Sequence, residues 1–388
     1  MITENQFIDV LKRFGYEYFT GVPCSSLTAV YGAIGSDPGI QYVPAPNEGS
    51  AYSLAMGLTL GGGKPAVLIQ NSGFGNLVNP LTSLSMPYRL PVLTFMTLRG
   101  WPSVTPEEPQ HEVMGRCSQS LLSTLGVPGH LLEPEVADLE SAMAGAEEAR
   151  LGGQPFFVLI PPGTVLAATA PPPPRELAPL TRSDAIAFVL DALPDALFVT
   201  ATGYISRDTF RLGDRAEIFY LQGAMGHTIS VAAGVALARP ARRVVALDGD
   251  GGILMHLGAL SMVGALGPGN LVHVVLNNGS YESTGQQPTT AATTALPEAA
   301  LACGYSAAAT LKDANDLGYA KELFSGPGPI LLDVRIANTG SPPGSRATSA
   351  IRPDELVRRF SAAAARIPGE LAPGKTPVAE TPHMGERS

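Results

Sequence analysis

The sequence has little cysteine, little charge and a single tryptophan. Its three cysteines, Cys24, Cys117 and Cys303, are widely spaced and form no Cys-x-x-Cys pair. That excludes a zinc knuckle and a disulfide framework, and reduced thiols in a cytoplasmic protein are expected. Charged residues make up only 15% of the chain, and acids outnumber bases 34 to 25, for a formal net charge of −9. Such a balance excludes a general binder of nucleic acid or anionic membrane, which needs a basic surface. It leaves room for a small anion in a locally positive pocket. Long hydrophobic runs are also missing. The longest uncharged stretch, Gly251–Tyr281, is interrupted by Gly, Pro, Asn and His and makes a poor membrane span. Met1–Gly15 reads as a mixed polar helix rather than a basic segment followed by an apolar one, so no secretory signal is expected.

What the chain does have is apolar content: 45% of its 388 residues. This is enough for two domains with sizeable cores. Short apolar runs alternate with helical patterns. Strands are expected at Tyr18–Gly21, Ile40–Val43, Ala66–Gln70, Pro91–Thr97 and Phe156–Ile160. The alternation resumes with strands at Leu197–Thr200, Ile218–Tyr220, Val244–Leu247, Leu271–Leu276 and Ile330–Val334. Runs that are apolar on both faces imply parallel sheets covered by helices on both sides. The expected fold class is α/β, with two tandem doubly wound parallel-sheet domains and no middle domain. Pro171–Pro174 mark a stiff linker. The expected boundaries are 1–165 for the first domain, 166–181 for the linker, 182–366 for the second domain and 367–388 for a disordered tail.

The strongest chemical signal is in the second domain. Val244–Leu247 runs into Asp248-Gly249-Asp250-Gly251-Gly252, and the next strand ends Asn277-Asn278-Gly279-Ser280. One βαβ unit brings both ends to the same sheet edge. Glycines let backbone N–H groups approach phosphate oxygens, and a helix N-terminus favours their charge. A carboxylate, an amide oxygen and a backbone carbonyl offer three oxygens to Mg²⁺. Gly-Asp-Gly alone marks an ordinary tight turn; joined to Asn-Asn at this spacing it makes a diphosphate–metal site. A second signal is Pro46-Asn47-Glu48-Gly49-Ser50, where Glu48 opens a helix. A third is Gly223-Ala224-Met225-Gly226-His227, a glycine-rich strand–helix turn.

Together these resemble a thiamine-diphosphate enzyme. The two-module size, and the strings Gly21–Leu27, Gln70–Asn76, Glu108–Gly115, Thr202–Tyr204, Leu254–His256 and Ser283–Thr289, resemble the phosphonopyruvate and sulfopyruvate decarboxylase family across about residues 5–340. The resemblance implies a pyrimidine-binding first domain and a diphosphate-binding second domain, with thiamine diphosphate and Mg²⁺ as cofactors. It implies that Glu48 activates the cofactor and Met225 wedges under it. Metal ligands would be Asp250, Asn278 and the Ser280 carbonyl, with Asn277 as rival to Asn278. Cofactor contacts would include Asn71, Gly203, Gly223, Gly249, Gly251, Gly252 and Tyr281. Ser25, Ser26, Arg99, His111 and Gln287 would hold the substrate, and His111 and His227 would serve as proton donors. Lys64 and Arg207 are further candidate cations, and Cys24 is expected to be a packed residue.

The implied reaction is non-oxidative decarboxylation of 3-phosphonopyruvate to phosphonoacetaldehyde in phosphonate biosynthesis. Sulfopyruvate or another anionic 2-keto acid is the alternative. A homodimer or homotetramer is implied, with Glu48 of one subunit facing Asp250 of another. The sequence departs from the family's pattern at four places. Trp101 stands where Gln is usual, Tyr281-Glu282 replaces His-Asp, Gln286 replaces Gly, and Ser50 often corresponds to Asp. These positions bear on head-group choice rather than on the cofactor machinery.

Overall fold

The computed structural model describes residues 1–102, 108–166, 180–338 and 343–366. Most of the expected linker and the whole expected tail lie outside the described residues. The first sheet contains β1 (Tyr18–Gly21), β2 (Gln41–Pro44), β3 (Pro65–Gln70), β4 (Leu93–Thr97), β5 (Gly129–Leu131) and β6 (Phe156–Ile160). The second contains β7 (Leu197–Thr200), β8 (Ile218–Tyr220), β9 (Val244–Gly249), β10 (Leu271–Asn277), β13 (Ala307–Leu311) and β14 (Ile330–Arg335). Between them in sequence, β11 (Ser280–Tyr281) and β12 (Gln287–Pro288) form a small antiparallel hairpin.

Both six-stranded sheets are parallel, with orders β2-β1-β3-β4-β6-β5 and β8-β7-β9-β10-β14-β13. Counted from the first strand of each, the two orders are the same. The chain reverses direction across the sheet beside β1 and again beside β7. In such sheets, ligands bind beyond the carboxyl ends of the strands at that switch point.

The two-sided apolar strands separate two cores per sheet, because successive side chains point to opposite faces. In β6, Phe156, Val158 and Ile160 join the cluster with Phe7, Phe19 and Phe95, while Phe157 and Leu159 join Tyr52, Phe74 and Met96. In β10 all seven residues are buried; Val272 and Val274 face one core, Leu271 and Val275 the other. Each fully buried side chain of this size contributes about 1.5–3 kcal/mol.

Helix starts follow capping chemistry. Thr3 caps helix Glu4–Arg13 in a reciprocal box with Gln6. Helix Arg182–Ala192 is capped by Thr181 in a box with Asp184. Among the described residues no helix is long and apolar enough to cross a membrane.

Candidate active site

A cavity of about 600 Å³ lies between the two halves, at the carboxyl ends of their strands. The first half contributes Pro23 and Ser25 after β1, Glu48 after β2, and Gln70 and Ser72 at and after β3. The second half contributes Thr202–Ile205 after β7, Gln222–Gly226 after β8, and Gly249–Gly252 after β9. The halves are tied across the cavity. Asn47 Nδ2 donates to the Met255 carbonyl at 3.0 Å, and Thr28 Oγ1 donates to the Thr284 carbonyl at 2.9 Å. The sequence reading divides Glu48 and Asp250 between two subunits; here one chain brings both to one cavity, because these contacts seat its first half on its own second half.

Glu48 is the first residue of helix Glu48–Leu60, and Asn47 is its N-cap, accepting from the Ser50 N–H at 2.9 Å. The cap fixes where the helix starts, and so where the carboxyl points. Glu48 is 5% exposed, and its Oε2 accepts from Asn76 Nδ2 at 2.7 Å. Gly73 packs directly on that carboxyl: a Cβ there would lie 1.9 Å from Oε1. Burial pushes the Glu48 carboxyl above its ordinary value, opposed by the Asn76 hydrogen bond.

Asp250 opens helix Asp250–Met255 after Gly249 and is 2% exposed. Burial pushes its carboxyl up to about 6, opposed by hydrogen bonds from the Thr289 hydroxyl and from the backbone at Asp250, Gly251 and Asn278. The Thr289 bond spans 2.5 Å. Asn278 and Ser280 line the cavity beside it. Asn277 does not, because its side chain turns into the sheet and donates to Asp333 at 2.8 Å. The choice between neighbouring asparagines therefore falls to Asn278.

Close packing explains the glycines. A Cβ at Gly251 would meet the Tyr281 ring at 2.5 Å, and one at Gly252 would meet Asp248 Oδ1 at 2.4 Å. Burial pushes the Tyr281 hydroxyl up to about 12, with the charges of Asp250 and Glu48 adding to it. The tyrosine thus lies between the two carboxyls. In the Met225 turn, Ala224 adopts φ 51, a left-handed conformation that is costly for alanine.

Several expected residues lie elsewhere. His227 does not line the cavity; it is exposed at a helix start and stacks on His256, with ring centroids 4.5 Å apart. Asn71 is fully buried and clamps the Arg99 backbone, donating to its carbonyl at 2.9 Å and accepting from its N–H at 3.1 Å. Ser26 and Gln287 are also off the cavity wall, and Gln287 is bonded within its own turn to Thr284. Lys64 pairs with Glu147 at 2.9 Å, away from the cavity. Cys24 is buried, and burial pushes its thiol up, as suits a packed residue. Gln286 stands at φ 64, a left-handed position, and accepts from Asn338 at 3.3 Å.

Ser25, Arg99, His111, Gly203, Gly223 and Met225 do line the cavity. Arg182 and Arg346 line it too and carry no sequence signal; Arg182 is the first residue of the expected second domain. Arg182 is buried between Asp208, at 2.7 Å, and Glu282. Thr289 and Asn76 were legible only as members of family-like strings.

Comparison with known proteins matches this arrangement. Residues 1–120 fit the model of the thiamine pyrophosphate enzyme N-terminal TPP binding domain, and residues 209–334 fit that of the C-terminal TPP binding domain. A phosphonopyruvate decarboxylase of Streptomyces viridochromogenes is 39% identical over 97% of this chain and 98% of its own. The chain belongs to the phosphonopyruvate decarboxylase family of thiamine pyrophosphate enzymes. A second member, from Streptomyces hygroscopicus, is 37% identical over 93% of each chain. A sulfopyruvate decarboxylase of Methanosarcina acetivorans is 28% identical over 74% of this chain and 79% of its own. As a member of this family, the chain is a thiamine-diphosphate-dependent decarboxylase, a carbon–carbon lyase.

Proposed function

We propose that this decarboxylase converts 3-phosphonopyruvate to phosphonoacetaldehyde and carbon dioxide, with Mg²⁺ anchoring the cofactor. The observation that carries the reading is the near full-length likeness to phosphonopyruvate decarboxylases, joined to a cavity lined by both Glu48 and Asp250. The residues fit the cofactor. Gly251 and Gly252 line the cavity in the first turn of a helix, where backbone N–H groups suit phosphate. Asp250 is a buried carboxylate, and Asn278 and Ser280 line the cavity with it. Mg²⁺ would be held by these three.

Bound thiamine diphosphate supplies a carbon nucleophile and an electron sink for the carboxylate's departure. The chain supplies the rest. Glu48 keeps a proton at its carboxyl against the pyrimidine ring and so activates it. Met225 lines the cavity in the Gly223–Gly226 turn, where it would pack against the bound cofactor and help fix its position. Tyr281 closes the floor between the two acids. Ser25 and Arg99, bonded Nη1 to Oγ at 3.5 Å, hold the substrate carboxylate end. The His111 imidazole delivers the proton that replaces carbon dioxide. A homodimer or homotetramer in the cytoplasm belongs to the same reading.

The test is carbon dioxide release by purified protein with thiamine diphosphate and Mg²⁺, comparing phosphonopyruvate, sulfopyruvate and pyruvate. Phosphonopyruvate is expected to be turned over with the highest kcat/KM. A preference for sulfopyruvate would assign the departures at Tyr281, Glu282 and Gln286 to a change of head group. Release from none of the three, with cofactor bound, would contradict the reading.

A further inference from the structure

The cations of the cavity wall are not equivalent. Arg182 is neutralised by Asp208 and Glu282. Arg346, on the segment before the last helices, reaches across to Glu108 of the first half at 2.9 Å. Arg207 sits one turn into helix Tyr204–Gly213 and faces the cavity. Its Nε donates to the Gly344 carbonyl at 2.6 Å, and its guanidinium carbon lies 5.7 Å from the Tyr204 ring centroid. Among the described residues no carboxylate lies within ion-pair distance of Arg207. Through Gly344, Arg207 touches the segment that carries Arg346, and burial, then Arg346, lowers its guanidinium from its ordinary value, while Tyr204, Asp208 and Glu108 oppose this. Two guanidiniums on one cavity wall, only one of them paired with an acid, favour a dianion between them.

Their position says which dianion. Glu108 is the N-cap of helix Pro109–Thr124, and its backbone carbonyl accepts from the His111 N–H at 2.9 Å. The arginine pair is thereby joined to the element that carries His111. The diphosphate cradle at Gly249–Gly252, Asn278 and Ser280 is served instead by Arg182, through Glu282 and its 3.2 Å bond from Asn278.

We propose that Arg207 and Arg346 form the subsite for the tetrahedral anionic head of the substrate and so set head-group specificity. This rests on the decarboxylase reading above, and a dianionic phosphonate head fits the pair better than a monoanionic sulfonate. A carboxylate-and-phosphonate acid would then lie with its carboxylate near Arg99 and its phosphonate between Arg207 and Arg346. The guanidinium fork matches such an oxyanion with paired N–H donors, which an ammonium cannot reproduce.

The test uses the holoenzyme and 3-phosphonopropionate, which keeps both anions but lacks the keto group. Its affinity is measured by calorimetry on wild type, Arg207→Ala, Arg207→Lys and Arg346→Ala, with thiamine diphosphate affinity measured on each. Arg207→Ala and Arg346→Ala are expected to weaken the analogue roughly 10- to 100-fold. Arg207→Lys should recover only part of that loss. Thiamine diphosphate affinity should change by less than about 2-fold, which also reports an intact fold. The kcat/KM ratio of phosphonopyruvate to pyruvate should fall in parallel. Unchanged analogue affinity would overturn the proposal, as would a loss of cofactor affinity as large as that of the analogue. If wild type binds the analogue through Arg207 yet releases no carbon dioxide from phosphonopyruvate, the substrate assignment fails and the subsite stands.

Discussion

In the first half of the chain, the loop after the second strand carries Glu48, a buried acid met by an amide. In the second half, the loop after the equivalent strand, β8, carries Gly223–Gly226 and the Met225 side chain. After the third strand the roles reverse. The first half has Gln70-Asn71-Ser72-Gly73, with Asn71 turned inward as a backbone clamp, while the second has the Gly249–Gly252 turn around Asp250. Two sheets of the same strand order thus present different chemistry at matching loops. The scaffold fixes where a ligand can sit, and single loop residues decide which part of it each half holds. The two acids show the same division. Both open a helix after a parallel strand, and burial raises both. Glu48, packed by Gly73 and Asn76, is suited to keeping a proton. Asp250, held by the Thr289 hydroxyl and by backbone N–H groups, is suited to giving its charge to a cation.

The comparison can be broken most severely at Asp250. Asp250→Asn should weaken Mg²⁺-dependent cofactor binding by more than the roughly 10–100-fold that loss of a supporting residue costs. Calorimetry with and without Mg²⁺ checks this. Thr289→Val removes the hydroxyl that steadies Asp250, and its cost should fall within that roughly 10–100-fold range. If Thr289→Val matched Asp250→Asn, the two would form one structural unit rather than ligand and support. Asn71→Ala should destabilise the fold by about 1–3 kcal/mol by leaving the Arg99 backbone groups unpaired. Denaturant unfolding measures that, and cofactor affinity in the folded fraction should hold, which separates Asn71 from the true cavity wall.

The smallest expected effect is on pH dependence. Because the Glu48 carboxyl is raised by burial, the folded apoprotein keeps a proton above pH 4.5 that the unfolded chain has released. The native state then binds more protons, so its stability falls as pH rises through that window. Glu48→Gln removes the titration, and its stability should fall less over the same range. Parallel urea titrations of the two apoproteins give the difference.

Much of this was legible in the sequence, and the limits have physical causes. Buried parallel strands announce themselves as continuous apolar runs, so ten strands could be placed from pattern alone. β13, Ala307–Leu311, is an edge strand that is only partly buried, and its alanines carry no such signal. A motif shows residue type but not orientation. Asn277 and Asn278 are indistinguishable until the strand pleat turns one into the sheet. Asn71 and His227 sit in strings that belong to the site, yet one faces the core and the other faces solvent. Arg182 and Arg346 escaped because long cationic side chains reach the cavity from the start of the second domain and from a segment near the last helix, with no shared spacing. The contacts of Asn47 and Thr28, which join the halves within one chain, were not visible in any pattern.

The central claim is the division of labour between the two acids, and Glu48→Gln tests it most directly. The measurement is thiamine diphosphate affinity and single-turnover carbon dioxide release on the same preparation. Affinity is predicted to stay close to that of wild type, while release falls about 10²- to 10⁴-fold, the range of a lost acid–base group. Release at the wild-type rate, or a loss of binding as deep as the loss of rate, would contradict the account.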